Sequence, residues 1–153
     1  MLRTSSMNRS FISAQNAFFL SFSKCTHRKL STALFWNASR LDYDEKLDFS
    51  SWKEVCDNVV LHRSDKVSTE EMISLAQDHH PTVIIAKEIT VPTDVIQRLP
   101  DSVRLACEAG TGYNNWPLQA TRQREKDLCN KPTYSTEAVA HMAITYLMNL
   151  SES

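Results

Sequence analysis

Short runs that are apolar at every position set the tightest limit on what this chain can fold into. Val59-Val60-Leu61 and Val83-Ile84-Ile85-Ala86 show no polar alternation. A strand with one wet face alternates apolar and polar residues, so unbroken runs suit strands covered on both faces by helices. Longer amphipathic or polar segments separate the runs, which is the alternation of an α/β domain with a largely parallel sheet. Five strands are expected, at residues 32–36, 58–62, 82–86, 103–107 and, more weakly, 127–131.

Helix signals fill the gaps. Ser68 with Glu71 makes a capping box, opening a helix to Asp78 whose Met72, Ile73, Leu75 and Ala76 form one stripe. Residues 93–99 lie between Pro92 and Pro100 and should form a short helix or turn. Pro117 should sit in the first turn of a helix running to about Lys126, with the charged run 122–127 as its solvated face. Ser135 is a candidate N-cap for a last helix over 136–150. Ala138, Val139, Ala140, Met142, Ala143, Ile144, Tyr146, Leu147, Met148 and Leu150 leave that helix almost no polar face. It is too short to span a bilayer and must therefore be buried against more protein, either another domain or a second subunit such as a homodimer partner.

Charge is unevenly distributed. Residues 1–41 carry six basic groups and no acid, whereas the remaining 112 residues hold 11 basic and 18 acidic groups, a net of minus seven. A nucleic-acid site needs Lys and Arg clustered within the folded part, so nucleic acid is not an expected partner. Residues 1–30 interleave Leu2, Phe11, Ile12, Phe18, Phe19, Leu20 and Phe22 with Ser, Thr, Arg and Asn. That composition suits an organellar transit peptide, for mitochondrion or plastid; the alternatives are a disordered extension of a cytoplasmic protein or wrongly joined upstream sequence. No segment reaches the roughly 20 apolar residues of a membrane span. Cys25, Cys56, Cys107 and Cys129 are scattered, with no CxxC and no histidine pair at ligand spacing. They read as reduced, mostly buried thiols, the alternative being two disulfides, with neither a metal site nor a redox motif.

Glycine is the rarest punctuation here. Average usage of about 7% would give roughly ten in a chain of this length, but there are two, both in Gly110-Thr111-Gly112. The tripeptide follows an expected strand and precedes an expected helix, where flexibility and close approach are useful. Such a turn either points consecutive N–H groups at an anion or is a tight turn without a ligand. GTGYNN lacks the third glycine of a dinucleotide fingerprint, and no Gly-Lys-Ser/Thr follows. A small carboxylate suits it better than a phosphate chain.

The stretch VIIAKEITVPTDVIQRLPDSVRLACEAGTGYNNWPLQATRQREKDLCNKPTYSTEAVAHMAITYLMNL resembles the substrate domain of D-isomer-specific 2-hydroxyacid dehydrogenases. The likeness lies in a helix ending in Leu-Pro, a strand, a G-[YF]-[DN]-N loop and a unit closing on CN-x-P-x-YSTEAVA. It extends over residues 32–150, faintly before 82 and closely after 103, and LDYDEKLDF (41–49) resembles the loop after the family's first strand. The resemblance implies a flavodoxin-like lobe in which backbone amides of Thr111 and Gly112, beside Gly110, hold the carboxylate of a 2-oxo or 2-hydroxy acid. It also implies a substrate-facing position for Lys87 and a cofactor contact, to NAD or NADP, for Thr136.

Hydride transfer to a 2-oxo acid needs a nicotinamide, a cation on the carbonyl and a general acid. In the family these come from a second, nucleotide-binding domain, and none of its segments is in this sequence. His141 lies in the last helix, well before the family's catalytic histidine, so no catalytic residue is assigned. Three readings follow: the substrate lobe of a dehydrogenase whose sequence stops early, a non-catalytic carboxylate-binding or dimerisation module, and a degenerate product lacking cover for its last helix.

Overall fold

The computed structural model describes residues 30–133 and 135–151. The chain runs β1 (Leu30–Phe35), β2 (Cys56–Leu61), α1 (Thr69–His79), β3 (Val83–Ala86), α2 (Thr93–Arg98), β4 (Leu105–Glu108), α3 (Leu118–Gln123), β5 (Asp127–Asn130) and α4 (Thr136–Ser151). All strand pairs are parallel, in the order β2-β1-β3-β4-β5. That is the flavodoxin-like doubly wound order, which leaves a topological switch point between β1 and β3. The expected α/β architecture of five strands is therefore present, each strand within two residues of its expected place. The candidate transit segment, residues 1–30, lies outside the described residues apart from Leu30.

The two sheet faces are covered differently. Leu34, Trp36, Ile84, Ala86 and Ala106 point to the side packed by α1, α2 and α3, among Ile73, Ala76, Val95, Ile96 and Ala120. Ala33, Phe35, Val83, Ile85 and Cys107 point to the other side, where no long helix packs among the described residues. Instead the β1–β2 connection crosses it as two 3-10 turns, Ala38–Arg40 and Ser50–Glu54. Phe49 and Trp52 meet Phe35 edge-on, with ring centroids 5.4 and 5.1 Å apart. Edge-to-face pairs of this kind add about 0.5–1.5 kcal/mol beyond area burial.

Local signals explain the element ends. Ser68 Oγ accepts from Glu71 N while the Glu71 carboxylate accepts from Ser68 N at 2.8 Å, so the capping box forms in both directions. The carboxylate of Glu71 is held below its ordinary pKa by those backbone and hydroxyl donors of Ser68. His80, in the left-handed region at φ 43°, ends α1.

The helix after Pro117 is shorter than its sequence suggests. Pro117 is its N-cap rather than a first-turn residue, and the helix ends at Gln123, not Lys126. Glu125 then takes a left-handed φ of 51°, which turns the chain into β5. The charged run is also more than a solvated face. Arg124 Nη2 donates to Leu99 O at 2.8 Å and Asp101 Oδ1 at 3.3 Å, tying α3 to the α2–β4 turn. Partial burial lowers the pKa of Lys126.

The last helix forms as expected, with Val139 N donating to Ser135 O at 2.9 Å. Every residue from 136 to 150 is exposed, including Leu147 at 68% and Leu150 at 75%. None of its apolar side chains is covered by the described residues. Among these, no helix is long and apolar enough to cross a membrane.

Candidate functional site

Loops at the carboxyl ends of β3 and β4 enclose a crevice of about 360 Å3, lined by Glu88, Glu108, Gly110, Thr111, Gly112, Asn114 and Asn115. Ligands collect at this edge of open parallel sheets because the loops there diverge.

Its floor is Glu108, the last residue of β4 and 1% exposed. A buried carboxylate needs donors, and three reach it. Glu88 N donates to Oε1 at 3.1 Å, and Asn115 Nδ2 and Trp116 Nε1 donate to Oε2 at 2.8 and 3.0 Å. Asn115 in turn holds the β3–α2 loop, its Nδ2 donating to Ile89 O at 2.7 Å and its carbonyl accepting from Val91 N at 2.9 Å. Trp116 stacks on Trp36, ring centroids 6.0 Å apart and 17° from parallel. One carboxylate thus fastens two loops to each other and to the core.

The glycine loop runs over that floor. Neither glycine has a positive φ, so the reason for glycine here is close approach, not backbone freedom. A Cβ on Gly110 would stand 3.0 Å from Glu108 Oε1, and one on Gly112 3.2 Å from Asn114 Oδ1. From the β5 side, Asn130 Nδ2 donates to Thr111 O at 2.7 Å and Lys131 N to Gly110 O at 2.9 Å. The Gly110 and Thr111 carbonyls are therefore spoken for. The loop's N–H groups are not: among the described residues, the Gly110, Thr111 and Gly112 N–H groups donate no hydrogen bond. Thr111 and Gly112 are exposed residues, and both line the crevice.

A second clamp joins β1 to β3 across the switch point. Asn37, 1% exposed, donates through Nδ2 to Lys87 O at 2.6 Å and accepts at Oδ1 from Lys87 N at 3.0 Å. Lys87 Nζ lies 3.7 Å from Glu88 Oε1, and Arg40 Nη1 3.6 Å from Glu88 Oε2. Glu88 itself has a left-handed φ of 55°. Below this, Arg63 Nη2 donates at 3.0 Å to the buried Asp42, within the LDYDEKLDF segment.

Of the residues singled out from sequence, Gly110, Thr111 and Gly112 come together at the crevice. Lys87 stands beside it, paired with Glu88, and is not among its lining residues. Thr136 begins α4, exposed and also outside the lining. Sequence reasoning passed over Glu108, Asn115 and Asn37. A signal existed for the first: an acid ending an otherwise apolar strand, with Asn-Trp in the loop that follows. Among the described residues, no group of three or more His, Cys, Asp or Glu could hold a metal.

A nicotinamide dinucleotide does not fit this crevice. At about 360 Å3 it has room for a small acid, and its glycine turn GTGYNN lacks the third glycine of a dinucleotide fingerprint.

Comparison with known proteins supplies the lineage. The family described as D-isomer specific 2-hydroxyacid dehydrogenase, catalytic domain, matches residues 42–146. A hydroxypyruvate reductase of Blautia hydrogenotrophica is 25% identical over 104 residues, 68% of this chain and 31% of that protein. Among solved structures, the pyruvate reductase of Chlamydomonas reinhardtii aligns with TM-score 0.62 at 18% identity, over 80% of this chain and 35% of that one. An NAD-complexed D-isomer specific 2-hydroxyacid dehydrogenase from Lactobacillus delbrueckii ssp. bulgaricus aligns with TM-score 0.56 at 23% identity, over 78% and 35%. The chain thus spans about a third of the length of these relatives.

Proposed function

Because this chain belongs to the D-isomer specific 2-hydroxyacid dehydrogenase family, we propose that its sheet is the substrate-holding lobe of an NAD- or NADP-dependent enzyme interconverting 2-hydroxy and 2-oxo acids. The observation that carries this reading is the pair of N–H groups on Thr111 and Gly112, exposed residues lining the crevice, that donate to none of the described residues. Two adjacent amides match the two oxygens of a carboxylate, and charge-assisted bonds of this type are roughly twice as strong as neutral ones. The loop is preorganised by Glu108, Asn130 and Lys131, so little ordering remains to be done when the acid arrives.

The crevice charges set a condition on binding. Glu108 lies under the loop and Glu88 beside it, so a bound carboxylate meets two like charges. Arg40 and Lys87 offset Glu88. In this reading Lys87 exchanges its partner, turning its ammonium from Glu88 to the substrate carboxylate, while Arg40 stays on Glu88. The residues of the crevice bind and orient the acid, and hydride transfer needs groups beyond them. The cofactor and the proton donor belong to protein packed against the apolar face of α4, a second domain or a second subunit, with Thr136 at the junction touching the cofactor.

Calorimetric titration of the full chain with pyruvate tests this. Saturable binding is expected, absent for uncharged methyl pyruvate and lost in Gly112→Val, whose exposed position leaves the fold intact by circular dichroism. Equal binding of pyruvate by Gly112→Val, or none by the parent chain, would remove the loop from the reading.

A further inference from the structure

Cys107 and Cys129 face each other on β4 and β5 as directly opposed residues of the parallel ladder. Both side chains lie on the sheet face crossed by the β1–β2 connection. Their Sγ atoms are 3.3 Å apart, within S–H···S distance. Neighbouring strands run about 4.8 Å apart, inside the roughly 4.4–6.8 Å Cα separation that a disulfide spans. Closing to a bond of about 2.05 Å therefore needs a sulfur movement of about 1.3 Å and no change of register. Cys56, on β2 at the other end of the sheet, is separated from this pair by β1 and β3.

We propose that Cys107 and Cys129 form a reversible oxidation site, closed by a small-molecule disulfide such as oxidised glutathione, that staples the edge strand β5 to β4 beneath the glycine loop.

The two thiols divide the work. Cys129 is part-exposed, and its hydrogen-bonding contact with Cys107 lowers its pKa. That same contact, with burial, pushes Cys107 well up. Cys129 is thus the attacking thiolate and Cys107 the resolving thiol. The Cys129 thiolate bonds to one sulfur of the oxidant, whose S–S bond breaks and releases one glutathione thiolate. Cys107 then gives up its proton and bonds to Cys129 Sγ, displacing the second glutathione. Two protein thiols are oxidised by two electrons, one glutathione disulfide is reduced to two thiols, and the two protein protons end on them.

The staple lies where it affects the crevice. Cys107 precedes Glu108, the floor residue, and Cys129 precedes Asn130, whose amide holds Thr111 O. β5 is a four-residue edge strand whose one strand neighbour is β4, so a covalent tie there restricts opening of the segment that anchors the loop.

The test uses the full reduced chain, equilibrated anaerobically over a series of oxidised-to-reduced glutathione ratios, then alkylated and mapped by mass spectrometry. The expected product has lost two hydrogens, with the peptides of Cys107 and Cys129 joined and Cys56 still alkylated. In Cys107→Ser, Cys129 should stop at a stable mixed disulfide with glutathione. Hydrogen exchange at residues 127–131 should slow in the oxidised wild type. A wild-type chain that stops at the mixed disulfide, or links Cys129 to Cys25 or Cys56, overturns the proposal. So does a pair that stays reduced across the series.

Discussion

β3 and α4 are both dominated by aliphatic residues, yet they meet opposite fates. Val83–Ala86 is completely buried between two layers, whereas every residue from 136 to 150 is exposed. The four residues of β3 are central in a sheet whose own connections supply cover on both faces. α4 presents Val139, Met142, Leu147 and Leu150 to water, at 55–75% exposure. Apolarity in β3 is answered within the lobe; in α4 it is answered by none of the described residues. The comparison separates a part of the molecule whose cover the described residues supply from a part whose cover they do not.

The largest effect should come from the covered side. Ile85→Ala removes a fully buried side chain and should cost about 2–5 kcal/mol in urea unfolding. Its counterpart Leu147→Ala should change stability by no more than about 0.5 kcal/mol. A cost for Leu147→Ala approaching that of Ile85→Ala would show that α4 is covered in solution and break the contrast.

Next comes the crevice floor, the buried polar group on which the loops depend. Glu108→Ala strands the donors of Glu88, Asn115 and Trp116 and should cost about 3 kcal/mol by the same unfolding measurement. Gly110→Ala should cost about 1 kcal/mol, since its Cβ would press on Glu108 Oε1. Making that change in Glu108→Ala should cost less, because the obstructing carboxylate is gone.

The smallest effect concerns α1, whose first turn is exposed. Glu71 has a lowered folded-state pKa, so its capping contribution is fully present above the ordinary glutamate value and is lost as pH falls through the lowered one. Protection factors of the amides at residues 69–72, taken relative to intrinsic exchange at each pH, should therefore fall over that acid window in the parent chain. In Glu71→Gln they should show no such fall.

Much of the lobe was legible in sequence because its signals were local. VIIA named a central strand, Ser68 with Glu71 named a helix start, and the pairing of both glycines in one turn marked the crevice. The resemblance carried by GTGYNN and YSTEAVA supplied the flavodoxin-like order. What escaped depended on contacts between distant segments. Glu108 looks like an ordinary charged residue until Glu88, Asn115 and Trp116 arrive from two loops. Asn37 looks like a turn residue until it meets Lys87, fifty positions away. The early end of α3 follows from Arg124 reaching Leu99 O and from the left-handed Glu125, neither written in a helical pattern. Close approach rather than positive φ as the reason for the glycines required knowing what lies under them.

The proposal that Thr111 and Gly112 hold a substrate carboxylate is met most directly by amide chemical shifts. Nitrogen-15-labelled full chain titrated with pyruvate should show saturable downfield shifts of the Thr111 and Gly112 N–H signals, with smaller changes at Asn114 and none in β2 or α1. Shifts confined to other regions, or Thr111 and Gly112 signals that stay fixed while pyruvate binds, would contradict it.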